Sequence, residues 1–85
     1  MKNMYSIFDL KARIWSNPFV APNDMIATRE FGRVVNEPGN AIHDNPEDFE
    51  LHVIAAWDET SGVVAPLKET QFLHPATHLR KFDAV

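Results

Sequence analysis

The amino-acid sequence predicts an α+β domain: a small antiparallel β-sheet with one or two short helices packed on it. Three observations carry that expectation. Residues Phe49 to Trp57 alternate as a strand does, with Phe49, Leu51, Val53, Ala55 and Trp57 on one face and Glu50, His52, Ile54 and Ala56 on the other. Asp58-Glu59-Thr60-Ser61-Gly62 follows as a hairpin turn, and Val63-Val64-Ala65 returns as its partner strand. Phe31, Val34 and Val35 stand at i, i+3 and i+4, which makes one apolar stripe of a short helix. The pattern leaves open whether the sheet stays open or curls into an OB-like barrel.

The elements follow in chain order. Met4 to Leu10 alternates as a strand, with Met4, Ser6, Phe8 and Leu10 on one side and Tyr5, Ile7 and Asp9 on the other. If that strand runs on, Lys11, Arg13 and Trp15 join the side of Tyr5. Ser16-Asn17-Pro18 and Ala21-Pro22-Asn23-Asp24 punctuate an irregular loop around Phe19 and Val20. Met25 to Thr28 reads as a short second strand, and Thr28 as the N-cap of a helix over residues 29–36, which Glu37-Pro38-Gly39-Asn40 stops. Asn45-Pro46-Glu47-Asp48 makes one helical turn with Pro46 at its first position. After the hairpin, Pro66 ends the return strand or marks a sheet edge. Gln71 to Leu73 forms a last short strand, and Pro75 to Phe82 a terminal helix with Ala76, Leu79 and Phe82 in register.

A chain of 85 residues holds one domain, residues 1–85, with 45% hydrophobic and 24% charged residues. The net charge of −4 argues against a simple polybasic nucleic-acid coat. That charge is unevenly placed: residues 1–33 carry +2, residues 34–70 carry −7 and residues 71–85 carry +1. Folding that joins the ends would give a basic face and an acidic face. There is no cysteine, so disulfides and thiolate chemistry are absent. No apolar run approaches the ~20 residues of a membrane span, and Asp9, Lys11 and Arg13 interrupt any signal-like core near the start. A core this small makes homodimerisation a reasonable expectation.

Catalysis finds little support. Ser6, Ser16 and Ser61 lie in no nucleophile turn, and Gly32, Gly39 and Gly62 are too far apart for a phosphate loop. His74 and His78 have helical i, i+4 spacing, but Pro75 intervenes and no third ligand clusters with them, so no metal or cofactor is expected. Asp44, Glu47, Asp48 and Glu50 lack the spacing of a calcium loop. The N-terminal segment is more suggestive. Tyr5 and Trp15 offer flat rings for unpaired bases, with Lys11 and Arg13 beside them for phosphates. Arg29 and Arg33, one helical turn apart, and Arg80-Lys81 extend that track. Spacing alone favours the core or a subunit interface for Tyr5 and Trp15.

Met4-Tyr5-Ser6-Ile7-Phe8-Asp9-Leu10-Lys11-Ala12, Pro18-Phe19-Val20-Ala21-Pro22-Asn23-Asp24, Ala27-Thr28-Arg29-Glu30-Phe31, Asn45-Pro46-Glu47-Asp48-Phe49-Glu50-Leu51 and the Asp58–Val63 hairpin occur in that order. Together they resemble the small nonstructural protein of gokushoviruses, tailless phages of the Microviridae with circular single-stranded DNA genomes. The resemblance runs from about Met4 to Pro66. It implies a nonvirion protein, described as a candidate DNA binder, that acts in the host cytoplasm when replication turns to single-stranded genomes for packaging. It carries over no catalytic residue. The combined expectation is a noncatalytic homodimer that binds single-stranded DNA weakly and without sequence preference. Tyr5, Trp15 and Phe19 would stack on bases, and Lys11, Arg13, Arg29, Arg33, Arg80 and Lys81 would neutralise phosphates. The alternative is an adaptor that touches no DNA, its acidic middle meeting a basic partner such as the replication initiator or a capsid component.

Overall fold

A computed structural model describes residues 1–81. It shows the expected α+β architecture as five strands in one antiparallel sheet, with short helices on it. The strands are β1 (Lys2–Asp9), β2 (Ile14–Trp15), β3 (Phe19–Ala21), β4 (Phe49–Trp57) and β5 (Val64–Pro75). The helices are α1 (Asp24–Val35), α2 (Ala41–Asp44) and α3 (Ala76–Leu79), with a 3₁₀ turn at Pro46–Asp48. The sheet order is β2-β1-β4-β5, and β3 shares the β2 edge of β1. The ends of that order do not meet, so the sheet is open and forms no closed barrel.

β1 stops at Asp9 instead of running on to Trp15. The Asp9 carboxylate accepts the backbone N–H groups of Lys11 and Ala12 at 2.9 and 3.0 Å, which folds the chain into a tight turn. Arg13 completes that turn in the left-handed region at φ 58°. β2 then returns along β1, pairing Trp15 with Phe8 and Ile14 with Asp9. Phe19 and Val20, expected in a loop, belong to β3 and pair with Tyr5 and Met4.

The segment expected as a second strand, residues 25–28, is instead the first turn of α1. Asn23, not Thr28, is the N-cap: its side chain accepts the Ile26 N–H at 2.9 Å. Asp24 adds a favourable negative charge in that turn. Ala27, Phe31 and Val35 are buried and pack with Tyr5, Leu51, Val53 and Ala76 to make the core. All of it lies on one side of the sheet.

β4 occupies the residues expected, but its faces switch partway. Tyr5 pairs with Val53 and Met4 with Ala55, so Ile54 is an extra residue in the ladder. Phe49, Leu51 and Val53 therefore face the helices, whereas Ala55 and Trp57 share the opposite face with Met4 and Lys2. Gly62 takes φ 79° and closes the expected hairpin. The two return strands expected after it are one long edge strand, irregular between Pro66 and Gln71. Every residue of β5 from Val64 to Phe72 is exposed, and Pro66 and Lys68 blunt its free edge against further pairing. The terminal helix spans only Ala76–Leu79. Phe82, expected as its last apolar contact, lies outside the described residues.

Candidate functional site

The helices cover one face of the sheet and leave the other open. Rings from four adjacent strands meet on that open face. Trp15 of β2 lies 4.6 Å from Phe8 of β1, centroid to centroid, and 4.9 Å from the His52 ring of β4. His52 in turn stands edge-on to Phe72 of β5 at 5.6 Å. The strand pairings Phe8↔Trp15, Ser6↔His52 and His52↔Phe72 explain the row, because residues directly opposite in a ladder project to the same side.

The two ends of the row are accessible. Trp15 is 40% exposed and Phe72 is 50% exposed, while His52 between them is 9% exposed. Polar neighbours fix the His52 ring: Nε2 is 2.9 Å from a Glu50 carboxylate oxygen, and Nδ1 is 3.0 Å from the Thr70 hydroxyl. Ser6 and Ser16 brace the β1–β2 side. The Ser16 backbone carbonyl accepts from the Ser6 hydroxyl at 2.8 Å, and the Ser16 hydroxyl accepts the Ile7 N–H at 2.9 Å.

Cations are carried by the strands and the turn that hold the row. Thr70 and Phe72 face His52, and Lys68 is exposed two positions before Thr70 on the same strand. Lys2 reaches the open face beside Trp57. Lys11 and Arg13 are exposed in the turn that leads into β2.

The residues expected as one track divide between the two layers. Trp15 is exposed on the open face, and β2, not a continuation of β1, carries it. Tyr5 is not a stacking surface. It is fully buried on the helix side, its hydroxyl donates to Asp24 Oδ1 at 2.7 Å, and its ring stacks on half-buried Phe19 at 5.6 Å. Burial, with the Asp24 bond acting the same way, pushes the Tyr5 phenol up to about 12. Tyr5 and Phe19 pair across β1 and β3 on the helix side, and the turn at Asp9 gives Tyr5 and Trp15 opposite faces. Arg29 and Arg33 are exposed on α1, and Lys81 comes to lie beside them. Arg33 also pairs with Glu30 at 2.8 Å. Arg80 is half-buried, with its guanidinium 3.1 Å from His43 Nε2.

Phe8, His52 and Phe72 are the members of the row that sequence reasoning did not select. The alternation of β1 already sets Phe8 apart from Tyr5, and that of β4 sets His52 apart from Leu51. Only the ladder register aligns the three. His74 ends in β5 and His78 in α3, so the helical spacing does not bring them onto one helix face. Among the described residues, no cluster of three or more His, Asp or Glu is arranged to hold a metal ion. No described helix is long and apolar enough to cross a membrane.

A family model described as Phage ORF5 protein matches residues 2–79. No curated protein and no solved structure matches the chain.

Proposed function

The chain belongs to the Phage ORF5 protein family, and from that premise we propose that it is a noncatalytic protein of a single-stranded DNA phage of the gokushovirus type, in the Microviridae, that binds single-stranded DNA through its open sheet face. The observation that supports this most is the Trp15–Phe8–His52–Phe72 row, an aromatic strip whose two ends are open to solvent. Every base has a π-face, so such a strip accepts unpaired bases without reading their sequence. Lys2, Lys11, Arg13 and Lys68, carried by the same strands and the β1–β2 turn, suit the phosphates. With an overall charge of −4, affinity is modest and falls steeply with added salt. The protein acts in the host cytoplasm, where it shields or presents single strands while genomes are made for packaging. Pairing of two copies as a homodimer would set two such strips in one particle and raise avidity.

An anisotropy titration of a labelled single-stranded oligonucleotide tests the reading. Trp15→Ala and Phe72→Ala should each raise Kd between about fivefold and about 100-fold, from ~1–3 kcal/mol of stacking per base. Tyr5→Phe should leave Kd unchanged. An absence of binding at low salt, or ring variants that bind like the wild type, overturns it.

The adaptor reading draws support from a different observation. Val63, Val64 and Leu67 are exposed on the β4–β5 hairpin within the acidic part of the chain, a surface suited to a protein partner such as a replication initiator or capsid component. Capture of a viral protein that Val64→Asp abolishes, without any DNA binding, would establish it instead.

A further inference from the structure

On the helix layer, remote from the aromatic row, a second surface has the chemistry of an anion site. Arg29, Gly32, Arg33, Asn36, Leu79 and Lys81 line a cleft of about 410 Å³ between α1 and the segment that follows α3. Three of those six residues are cations and none is a carboxylate. Asn36 builds the cleft. Its amide donates to the Gly32 carbonyl at 2.7 Å and to the Leu79 carbonyl at 2.8 Å, while its oxygen accepts the Lys81 N–H at 2.6 Å. One side chain thus fastens residues 79–81 to the end of α1 and fixes Lys81 beside Arg29 and Arg33. Those two arginines are neighbours on one helix face by their i, i+4 spacing.

The cations exceed what the fold requires. The negative end of the α1 dipole needs one cation in the last turn, and Arg33 supplies it. Glu30, which pairs with Arg33, lines the apolar groove on the other flank of the helix, not this cleft. Arg33 keeps further N–H donors beyond the one that Glu30 occupies. Neither Arg29 nor Lys81 has a carboxylate within ion-pair distance among the described residues. At the cleft floor, Gly32 has no side chain, and a Cβ there would meet the Leu79 side chain at 3.9 Å.

We infer that this cleft binds a phosphate group, held by the guanidinium of Arg29, the free donors of Arg33 and the ammonium of Lys81. Planar guanidinium groups match tetrahedral oxyanions in geometry, and an ammonium adds a point charge without directional demand. The phosphate can come from a polynucleotide backbone or from a small phosphorylated molecule, and the chemistry at the cleft is the same for both. This inference does not rest on stacking at the sheet face.

Two-dimensional amide NMR of the full chain, titrated with inorganic phosphate against chloride at matched ionic strength, tests it. Saturable shifts at Gly32, Asn36 and Lys81 are expected, absent with chloride and weakened at least tenfold in an Arg29→Gln, Lys81→Gln double variant. Both side chains are exposed, so the fold should persist, and an unchanged spectrum elsewhere verifies that. Equal responses to phosphate and chloride, or a double variant that titrates like the wild type, overturn the proposal. A short single-stranded oligonucleotide then identifies the source. If it displaces phosphate and shifts the same amides, the backbone occupies the cleft; if phosphate binds and the oligonucleotide shifts only the sheet face, a small phosphorylated ligand does. Trp15→Ala reports on the sheet face alone, so failure of one site is distinguishable from failure of the other.

Discussion

Replacing Tyr5 with Phe removes one hydroxyl and keeps the ring that packs on Phe19. The lost bond, 2.7 Å to Asp24 Oδ1, joins a fully buried phenol to a half-buried carboxylate. A hydrogen bond to a charged group contributes ~1.5–3 kcal/mol. Water can reach Asp24 in the variant, so the cost near neutral pH is about 1.5 kcal/mol, at the low end of that range. The pH dependence is more telling. The phenol titrates at about 12 in the fold, against 10.0 for a free tyrosine, because burial and Asp24 disfavour the phenolate. A raised pKa means that its stabilisation is complete below the unfolded value and is lost as pH climbs from there toward the folded one. Near pH 11 the wild type has given up about 1.4 kcal/mol through this residue, close to what the hydroxyl supplied. Wild type and Tyr5→Phe should therefore converge in stability there. Urea unfolding near neutrality and near pH 11 measures both differences. The chain has a single tyrosine, so phenolate absorbance of the folded protein reads its ionisation directly. A phenolate midpoint near the free value, or a stability gap that widens with pH, would refute the placement of Tyr5 in the core.

Other consequences follow from the packing and the turns. Phe31→Ala empties a position that is 1% exposed at the centre of the core and should cost ~3–5 kcal/mol, much of the ~4–13 kcal/mol expected for a domain of this length. A thermal melt that drops only a few degrees would contradict that. Gly62→Ala puts a Cβ on a residue at φ 79° with open space around it, so only backbone strain of ~1–2 kcal/mol opposes it. Its melting temperature should fall by at least about 4 °C, whereas an unchanged melt would mean the hairpin turn has a different geometry.

Local chemistry made much of the fold legible in the sequence. β4 and its hairpin stood out because period-two alternation, a polar turn and a glycine all agree there. The helical turn at Pro46 was readable for the same reason. The errors came from short-range polar groups that compete with hydrophobic patterning. Asp9 captures two backbone N–H groups and ends β1, so an apparent continuation to Trp15 becomes a reversal. Asn23 caps α1, which turns the apolar run at residues 25–28 into helix where composition suggested strand. The site suffered from the first of these errors: one misplaced turn put Tyr5 and Trp15 on the same face. Phe72 could not be aligned with His52 without the ladder, since register between distant strands is set by tertiary pairing and not by either strand alone. The basic pair Arg29 and Arg33 was visible from helical spacing. Its union with Lys81 depends on the Asn36 side chain, a contact across more than forty positions of chain.

The single additional residue at Ile54 governs more than a kink in one strand. By reversing parity, it lets the same strand give Leu51 and Val53 to the helices and Trp57 to the solvent side. Pairing that residue regularly with Met4, with no bulge, would rotate the distal half of the hairpin by one side-chain position, driving Trp57 toward the helical layer and turning Ala56 outward. Much of what the protein shows to its surroundings on this side is thus decided by a count of residues, not by their identity.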